Sequence, residues 1–404
     1  RVSFVETADA AGGRGEAAAA VAPESAAALE AAASMWGCDR VDLENALLRV
    51  TLVSGAESLE LPTSCEQAAN ARDALAKAVF ERLFRRLVDL INLALATKVA
   101  EEVASMGAVP VGRSASGSSS PTVSLLDIFG METFEVNGFE QLLINYANEK
   151  LQALFAGEAV DKVKAEFIAE GISLDRIEAP DNRAIVELLE GRVAKRGQPK
   201  VAGVLTVLDD ETSSPKPPDD ARLVRALLDG FSEHEAFGPA AAAAAAAPKS
   251  GNGDLRLAFV IRHFAMDVVY TGARAGAPSG FLKTNKDELH SKLPRLMQSS
   301  RSEFVRGLFE VLEESGSRPE VAKQFRGSMN RLMETLQRTE MSFVRCIKPN
   351  DSRRAFGFDR GAVRHQLRTC GVLAAARVAQ AGYPYRKSFF AMLDDFSLLM
   401  TREE

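Results

Sequence analysis

One stretch constrains this chain more than any other: residues 121–155, PTVSLLDIFGMETFEVNGFEQLLINYANEKLQALF. It opens on a short apolar run, Val123, Leu125 and Leu126, closed by Asp127 and Gly130. A run of that length predicts a buried strand ending in a tight turn. The period then changes. Phe139, Leu142, Leu143, Tyr146, Ala147, Leu151, Leu154 and Phe155 fall at helical spacing. Asn137, with Glu140 three residues on, is a helix start of the capping-box kind. The stretch therefore predicts strand, loop and long amphipathic helix, with Asp127, Gly130 and Glu132 in the loop.

Loops that follow strands of α/β sheets are where ligands bind. An Asp there holds Mg²⁺ directly or through water. A Gly lets a backbone N–H approach a phosphate, and a Glu just beyond orients water or pairs with an Arg. On these three residues alone, an ordinary strand–turn–helix is the favoured reading.

The chain has 404 residues, 46% hydrophobic and 26% charged, which is the composition of a globular protein of two or three domains. It begins with Arg1 rather than Met, so an upstream segment is expected. No apolar run approaches the ~20 residues of a membrane helix, and no signal peptide is visible. Cys38, Cys65, Cys346 and Cys370 have neither metal-ligand nor disulfide-framework spacing, which makes a reducing cytoplasm the expectation. His234, His263, His290 and His365 are equally scattered. The net charge of −6 argues against a nucleic-acid partner, but residues 318–368 carry twelve Lys/Arg against five Asp/Glu, a local +7. A basic segment on an acidic chain suits either an acidic partner or a solvated helical face.

DIFGMETFEVNGFEQLLINYANEKLQALF closely resembles the switch II loop and relay helix of the myosin motor domain, with Met131 for the usual Phe and Leu143 for the usual Cys. Further matches follow along the chain. EQAANARDALAKAVFERLFRRLVDLIN, within a predicted helix from Ser64 to Ala96, resembles the segment leading to switch II. KVAGVLTVLDDETSSPK resembles the actin-facing helix–loop–helix, with Val201-Ala202 for Pro-Met and Ser213-Ser214 for Met-Phe. LRLAFVIRHFAMDVVY, two predicted strands broken near His263, and GFLKTNKD resemble neighbouring family strings, and His263 itself reads as a core histidine. QFRGSMNRLMETLQRTEMSFVRCIKPND predicts a helix and then a strand at Phe343–Ile347. RHQLRTCGVLAAARVAQAGYPYR resembles the reactive-thiol helices, with the thiol positions on Thr369 and Ala379 and Cys370 one place off.

The resemblance implies a P-loop-type α/β motor core, a central mixed sheet with surrounding helices, whose phosphate-loop part is missing. No G-x-x-x-x-G-K-[ST] string and no N-x-N-S-S-R-like switch I occur in the sequence. Residues 1–120 correspond to the upper actin-binding half with a Gly/Ser-rich insertion, and 121–155 to switch II and the relay helix. Residues 156–312 correspond to the lower actin-binding half, 313–351 to the joining loop, actin-region helix and central strand, 352–386 to the thiol helices, and 387–404 to the start of the converter. The implied function is an actin-based cytoskeletal motor driven by hydrolysis of ATP with Mg. The alternatives are a non-motor actin-binding remnant and a gene-model fragment.

By resemblance, Asp127 helps hold the Mg shell, the Gly130 N–H binds the γ-phosphate, and Glu132 pairs with the switch I Arg and positions the attacking water. The actin-binding set is Met329, Asn330, Arg331, Leu332, Met333, Glu334, Thr335, Leu336, Gln337, Arg338, Thr339, Glu340, Met341, Ser342, Phe343, Val344, Arg345, Cys346, Ile347, Lys348, Pro349, Asn350 and Asp351. Gly371 and Gly382 are the lever fulcrum. The implied partner is the actin filament, without nucleic acid or membrane. Light chains or calmodulin would bind beyond the C-terminus, and the implied location is the cytoplasmic cytoskeleton. The joining loop departs from the family, being acidic at Glu310, Glu313, Glu314 and Glu320.

Overall fold

A computed structural model describes residues 1–7, 18–54, 57–105, 123–158, 168–169, 171, 181–195, 198–240, 258–272, 280–286, 289–310, 320–344, 346–369, 376 and 387–399. Gly371, Gly382, Cys370, Ala379, Arg345, the Ser-rich run 114–120 and Ala241 to Ala247 lie outside them.

In chain order the elements are β1 (Phe4–Glu6), β2 (Ala19–Val21), α1 (Ala26–Trp36), α2 (Arg40–Leu48), β3 (Arg49–Ser54), β4 (Glu57–Pro62), α3 (Cys65–Ser105) and α4 (Phe139–Ala156). Then come α5 (Arg183–Glu190), β5 (Arg192–Lys195), β6 (Gln198–Ala202), α6 (Val204–Thr212), α7 (Asp220–Phe231), β7 (Phe237–Pro239), β8 (Ala258–Arg262) and β9 (Asp267–Thr271). The last are α8 (Phe281–Asn285), α9 (Lys292–Gln298), α10 (Glu303–Leu308), α11 (Val321–Gln337), α12 (Arg360–Thr369) and α13 (Phe389–Phe396). The chain divides into two compact units, Arg1–Leu125 with Asp287–Arg318, and Leu126–Lys286 with Pro319–Glu404.

In the first unit, Leu29, Leu43, Leu47, Leu75, Leu293, Met297 and Phe309 make one core. Asp39 caps α2 by accepting from the Val41 N–H, and Gly37 ends α1 at φ 65°, the left-handed position that suits glycine. The Ala-rich run at 17–20 predicts helix by propensity. Instead Ala19–Val21 pairs antiparallel with Phe4–Glu6, because tertiary pairing outweighs a propensity worth only tenths of a kcal/mol per residue, roughly 0–0.7.

In the second unit, α4 is the centre. Phe139, Leu142, Leu143, Tyr146 and Ala147 are buried against α5, α6, α7, β8, β9 and α11. Each large side chain so buried contributes about 1.5–3 kcal/mol. β7, β8 and β9 form an antiparallel sheet in which Phe259 faces Tyr270 and Ile261 faces Val268. These four residues line the main core, while Ala258 and Val260 pack with Ala240 on the other face. Burial of both faces explains why the sequence there is continuously apolar. Rings stack through Phe237, Phe259 and Tyr270 at centroid separations of 5.6 and 5.5 Å, which fixes where the Tyr270 hydroxyl emerges.

Two sequence expectations are corrected. Val123 to Leu126 is not a buried strand: the segment is irregular and Leu125 is 98% exposed. Phe343–Ile347 is likewise no strand in its described residues, and Val344 is 83% exposed. The reason is common to both. A strand's polar backbone is satisfied only by neighbouring strands, and among the described residues none flanks either segment. The described ladders are antiparallel sheets of two or three strands, with one parallel bridge at Asn137–Tyr270, so they do not include the expected central mixed sheet.

Candidate functional site

The loop from Asp127 to Asn137 is irregular, and it is held by side chains of α4 and by the backbone of β9. The start of α4 differs from the sequence expectation. Gly138, not Asn137, is the N-cap, and its N–H donates to Gln141 Oε1 at 3.0 Å, closing the box from one side only. Asn137 is buried and serves the loop. Its Oδ1 accepts from the Phe134 N–H at 2.7 Å, and its Nδ2 donates to Phe134 O at 3.1 Å and Val269 O at 3.0 Å. The Thr271 N–H returns a bond to Asn137 O at 2.9 Å.

Two asparagines on α4 hold the other end. Asn148 Nδ2 donates to Phe129 O at 3.0 Å. Asn145 grips both backbone groups of Glu132: its Oδ1 accepts from the Glu132 N–H, and its Nδ2 donates to Glu132 O, each at 2.8 Å. The same Nδ2 donates to the Tyr270 hydroxyl at 2.8 Å. Behind Tyr270 lies a buried polar row. His263 Nε2 is 2.7 Å from the Tyr270 hydroxyl, and His263 Nδ1 is 2.9 Å from Glu149 Oε1. Glu149 Oε1 also accepts from the Phe264 N–H at 3.0 Å, and Glu149 Oε2 accepts from Asn182 Nδ2 at 2.5 Å. Burial pushes the Tyr270 hydroxyl well above the ordinary phenol range, with the Glu149 carboxylate adding to the rise and the Asn145 bond opposing it. The hydroxyl is therefore neutral and keeps its proton to donate.

Asp127 and Gly130 are exposed, and no heavy atom lies within 4 Å of where a Cβ on Gly130 would stand. Glu132 is half-buried, with its Oε2 3.4 Å from Gln141 Nε2. The structure thus ties Glu132 to the helix and leaves Asp127 and Gly130 on open backbone. The exposed Asp127 and Gly130 with the half-buried Glu132 fit one edge of a Mg-nucleotide site. They do not form a whole phosphate cradle, which needs several convergent N–H groups and a Lys. Among the described residues no cluster of three or more His, Cys, Asp or Glu could hold a metal ion.

The actin-assigned segment divides by burial. Met329 and Met333 point into the core of the second unit. Asn330, Arg331, Glu334, Thr335, Gln337, Arg338, Thr339, Glu340, Ser342, Phe343, Val344, Cys346, Lys348, Pro349 and Asp351 are exposed. Leu332, Leu336, Met341, Ile347 and Asn350 are intermediate. Asn330 Oδ1 accepts from Lys150 Nζ at 3.0 Å, and the same Nζ pairs with Glu190 Oε1 at 2.5 Å. Beneath α11, Arg326 reaches buried Asp209 at 2.5 Å, and Asn285 Nδ2 donates to Asp209 at 3.0 Å.

Sequence reasoning missed Asn145, Glu149, His263 and Tyr270 as a group. The available signal was a polar row at i, i+4 and i+7, Asn145, Glu149 and Gln152, on a helix that otherwise buries apolar residues there.

A P-loop NTPase-type fold of mixed helices and strands is the class these elements come from, and the comparisons place the chain within it. The model of the myosin head (motor domain) family matches residues 10–404. The chain belongs to that family. It is 36% identical over 368 residues to unconventional myosin-Ic of Bos taurus, covering 90% of this chain and 32% of that protein. It is 33% identical over 380 residues to Myosin-5 of Arabidopsis thaliana, covering 93% of this chain and 22% of the relative. It is 32% identical over 400 residues to unconventional myosin-Vb of Mus musculus, covering 92% and 20%. The chain spans about a third or less of the length of these relatives. Among the described residues no helix is long and apolar enough to cross a membrane.

Proposed function

We propose that this chain is part of an actin-based cytoskeletal motor that couples ATP hydrolysis to movement on filaments. One observation carries the reading: Glu132, to which the resemblance gives the role of acting on water, is bound through both backbone groups to Asn145 on α4. A rigid helix gripping the loop is what coupling of loop closure to distant motion requires. Bound ATP with Mg would supply the phosphoryl group and neutralise its developing charge. Asp127 would hold the ion's water shell, the Gly130 N–H would donate to the phosphate, and the Glu132 carboxylate would orient water and meet a switch I Arg outside this chain.

The rest of the reading concerns the filament. The exposed residues of 330–351, with Arg331 and Arg338 foremost, would face actin, and the buried Met329 and Met333 would hold that surface in place. Gly371 and Gly382 would be the fulcrum of the thiol helices, residues 387–404 would begin the converter, and light chains or calmodulin would bind further on. The six segments from 1–120 to 387–404 keep the roles the resemblance gives them, and the location is the cytoplasmic cytoskeleton. Without a phosphate loop, this chain by itself is inactive. The test is Glu132→Ala in a motor that joins this chain to a phosphate loop and switch I. Nucleotide affinity should stay within a few-fold while turnover falls ~10²-fold or more, as positioning effects do. Turnover within a few-fold of wild type refutes the role.

A further inference from the structure

The reading above uses Glu132 but not the buried row behind it. We propose that Tyr270 and His263 are positioning residues: anchored by Glu149, they orient the Asn145 amide and through it hold the backbone of Glu132. The inference rests on the motor reading only in taking Glu132 as the loop's working residue.

The bond directions run one way. The Glu132 N–H can only donate and the Glu132 carbonyl can only accept, so Asn145 must present Oδ1 to the first and Nδ2 to the second. That fixes the amide, and the second proton of Nδ2 goes to the Tyr270 oxygen. The Tyr270 proton continues the row to His263 Nε2, which then accepts and carries no proton of its own. His263 is therefore the neutral Nδ1–H tautomer, and that N–H donates to Glu149 Oε1. Glu149 completes the row by accepting from the Phe264 N–H and Asn182 Nδ2. The side chains of His263 and Glu149 are 0% exposed, so no solvent competes for these bonds. The backbone of a half-buried loop residue is thus set by a continuous row of donors that ends on α4 and β9.

Packing alone would also keep these groups satisfied, and the experiment separates the two roles. Amide hydrogen exchange is measured on the whole chain with neither nucleotide nor actin present. Tyr270→Phe keeps the ring and removes only the hydroxyl. Exchange at Glu132 should rise about five- to tenfold, as loss of support for one hydrogen bond allows, while amides in the middle of α4 keep their wild-type rates. His263→Leu should do the same, and His263→Gln, which keeps a donor and an acceptor, should restore most of the protection. In nitrogen-15 spectra, the histidine signal lost in the His263 variants should show its proton on Nδ1. Unchanged exchange at Glu132 in both Tyr270→Phe and His263→Leu overturns the proposal. So does an equal rise along all of α4 in both variants, or a proton found on Nε2. A chain that shows the selective rise but fails to bind actin would count against the motor reading and leave this one standing.

Discussion

Glu149→Ala should be among the most damaging single changes in the second unit. The side chain is fully buried and accepts from three donors: His263 Nδ1–H, the Phe264 N–H and Asn182 Nδ2. Removing it strands the His263 and Phe264 donors without water and leaves Asn182 Nδ2 only its bond to Glu149 O at 2.8 Å. A buried donor left unmatched costs roughly 1–3 kcal/mol, so for the two stranded donors the loss should reach about 2–6 kcal/mol, before any cavity left by the missing atoms. That is a large part of the roughly 5–15 kcal/mol that holds a domain folded. Glu149→Gln keeps one carbonyl acceptor but turns a donor toward one of the former partners, so it should lose less. The assay is urea unfolding followed by far-ultraviolet circular dichroism. Trp36, the single tryptophan, lies in the first unit. Its fluorescence therefore serves as an internal control and should unfold near its wild-type midpoint. A loss below about 1 kcal/mol for Glu149→Ala would show that the stranded donors find other partners, and the account of the buried row would be wrong.

Two other outcomes follow from the same structure. Burial pushes the Asp209 carboxyl above the ordinary carboxylate range, with the Asn285 bond and Arg326 opposing it. A raised folded value means that the native state takes up its proton before the unfolded chain does, so this group adds stability as pH falls through that value. Asp209→Asn should flatten that branch of a urea-midpoint series across the mildly acidic range, and an unaltered slope would reject the assignment. Titration calorimetry of this chain with Mg·ATP should show no binding in the micromolar range, because Gly130 offers one N–H where a phosphate cradle needs several. A micromolar isotherm would refute that reading.

The sequence disclosed what is local. The helical period from Phe139 to Phe155 gave α4 within a residue of its ends, and the break at His263 separated β8 from β9. It was silent or misleading where partners lie far away in the chain. Tyr270 is 125 residues from Asn145 and His263 is 114 from Glu149, so no spacing rule could pair them. Val123 to Leu126 has strand composition, but composition does not supply neighbouring strands. Asn137 has the chemistry of an N-cap, yet it serves Phe134 and Val269, and the cap passes to Gly138. The candidate loop was visible because its three candidate residues are close in sequence, whereas the residues that shape it are not.

The measurement that bears most directly on the proposed function is cosedimentation of this chain with actin filaments across a salt series, with and without Mg·ATP. In the proposed filament-facing tip, Val201-Ala202 and Ser213-Ser214 stand where the resemblance expects larger apolar residues, which would reduce burial worth ~25 cal/mol per Å². The exposed Arg331, Arg338, Arg353 and Arg354 remain, and their attraction acts over about 8 Å at physiological salt. The account predicts weak binding at low salt that fades as salt rises and does not change with Mg·ATP. No binding even at low salt, or tight binding that survives high salt, would contradict it.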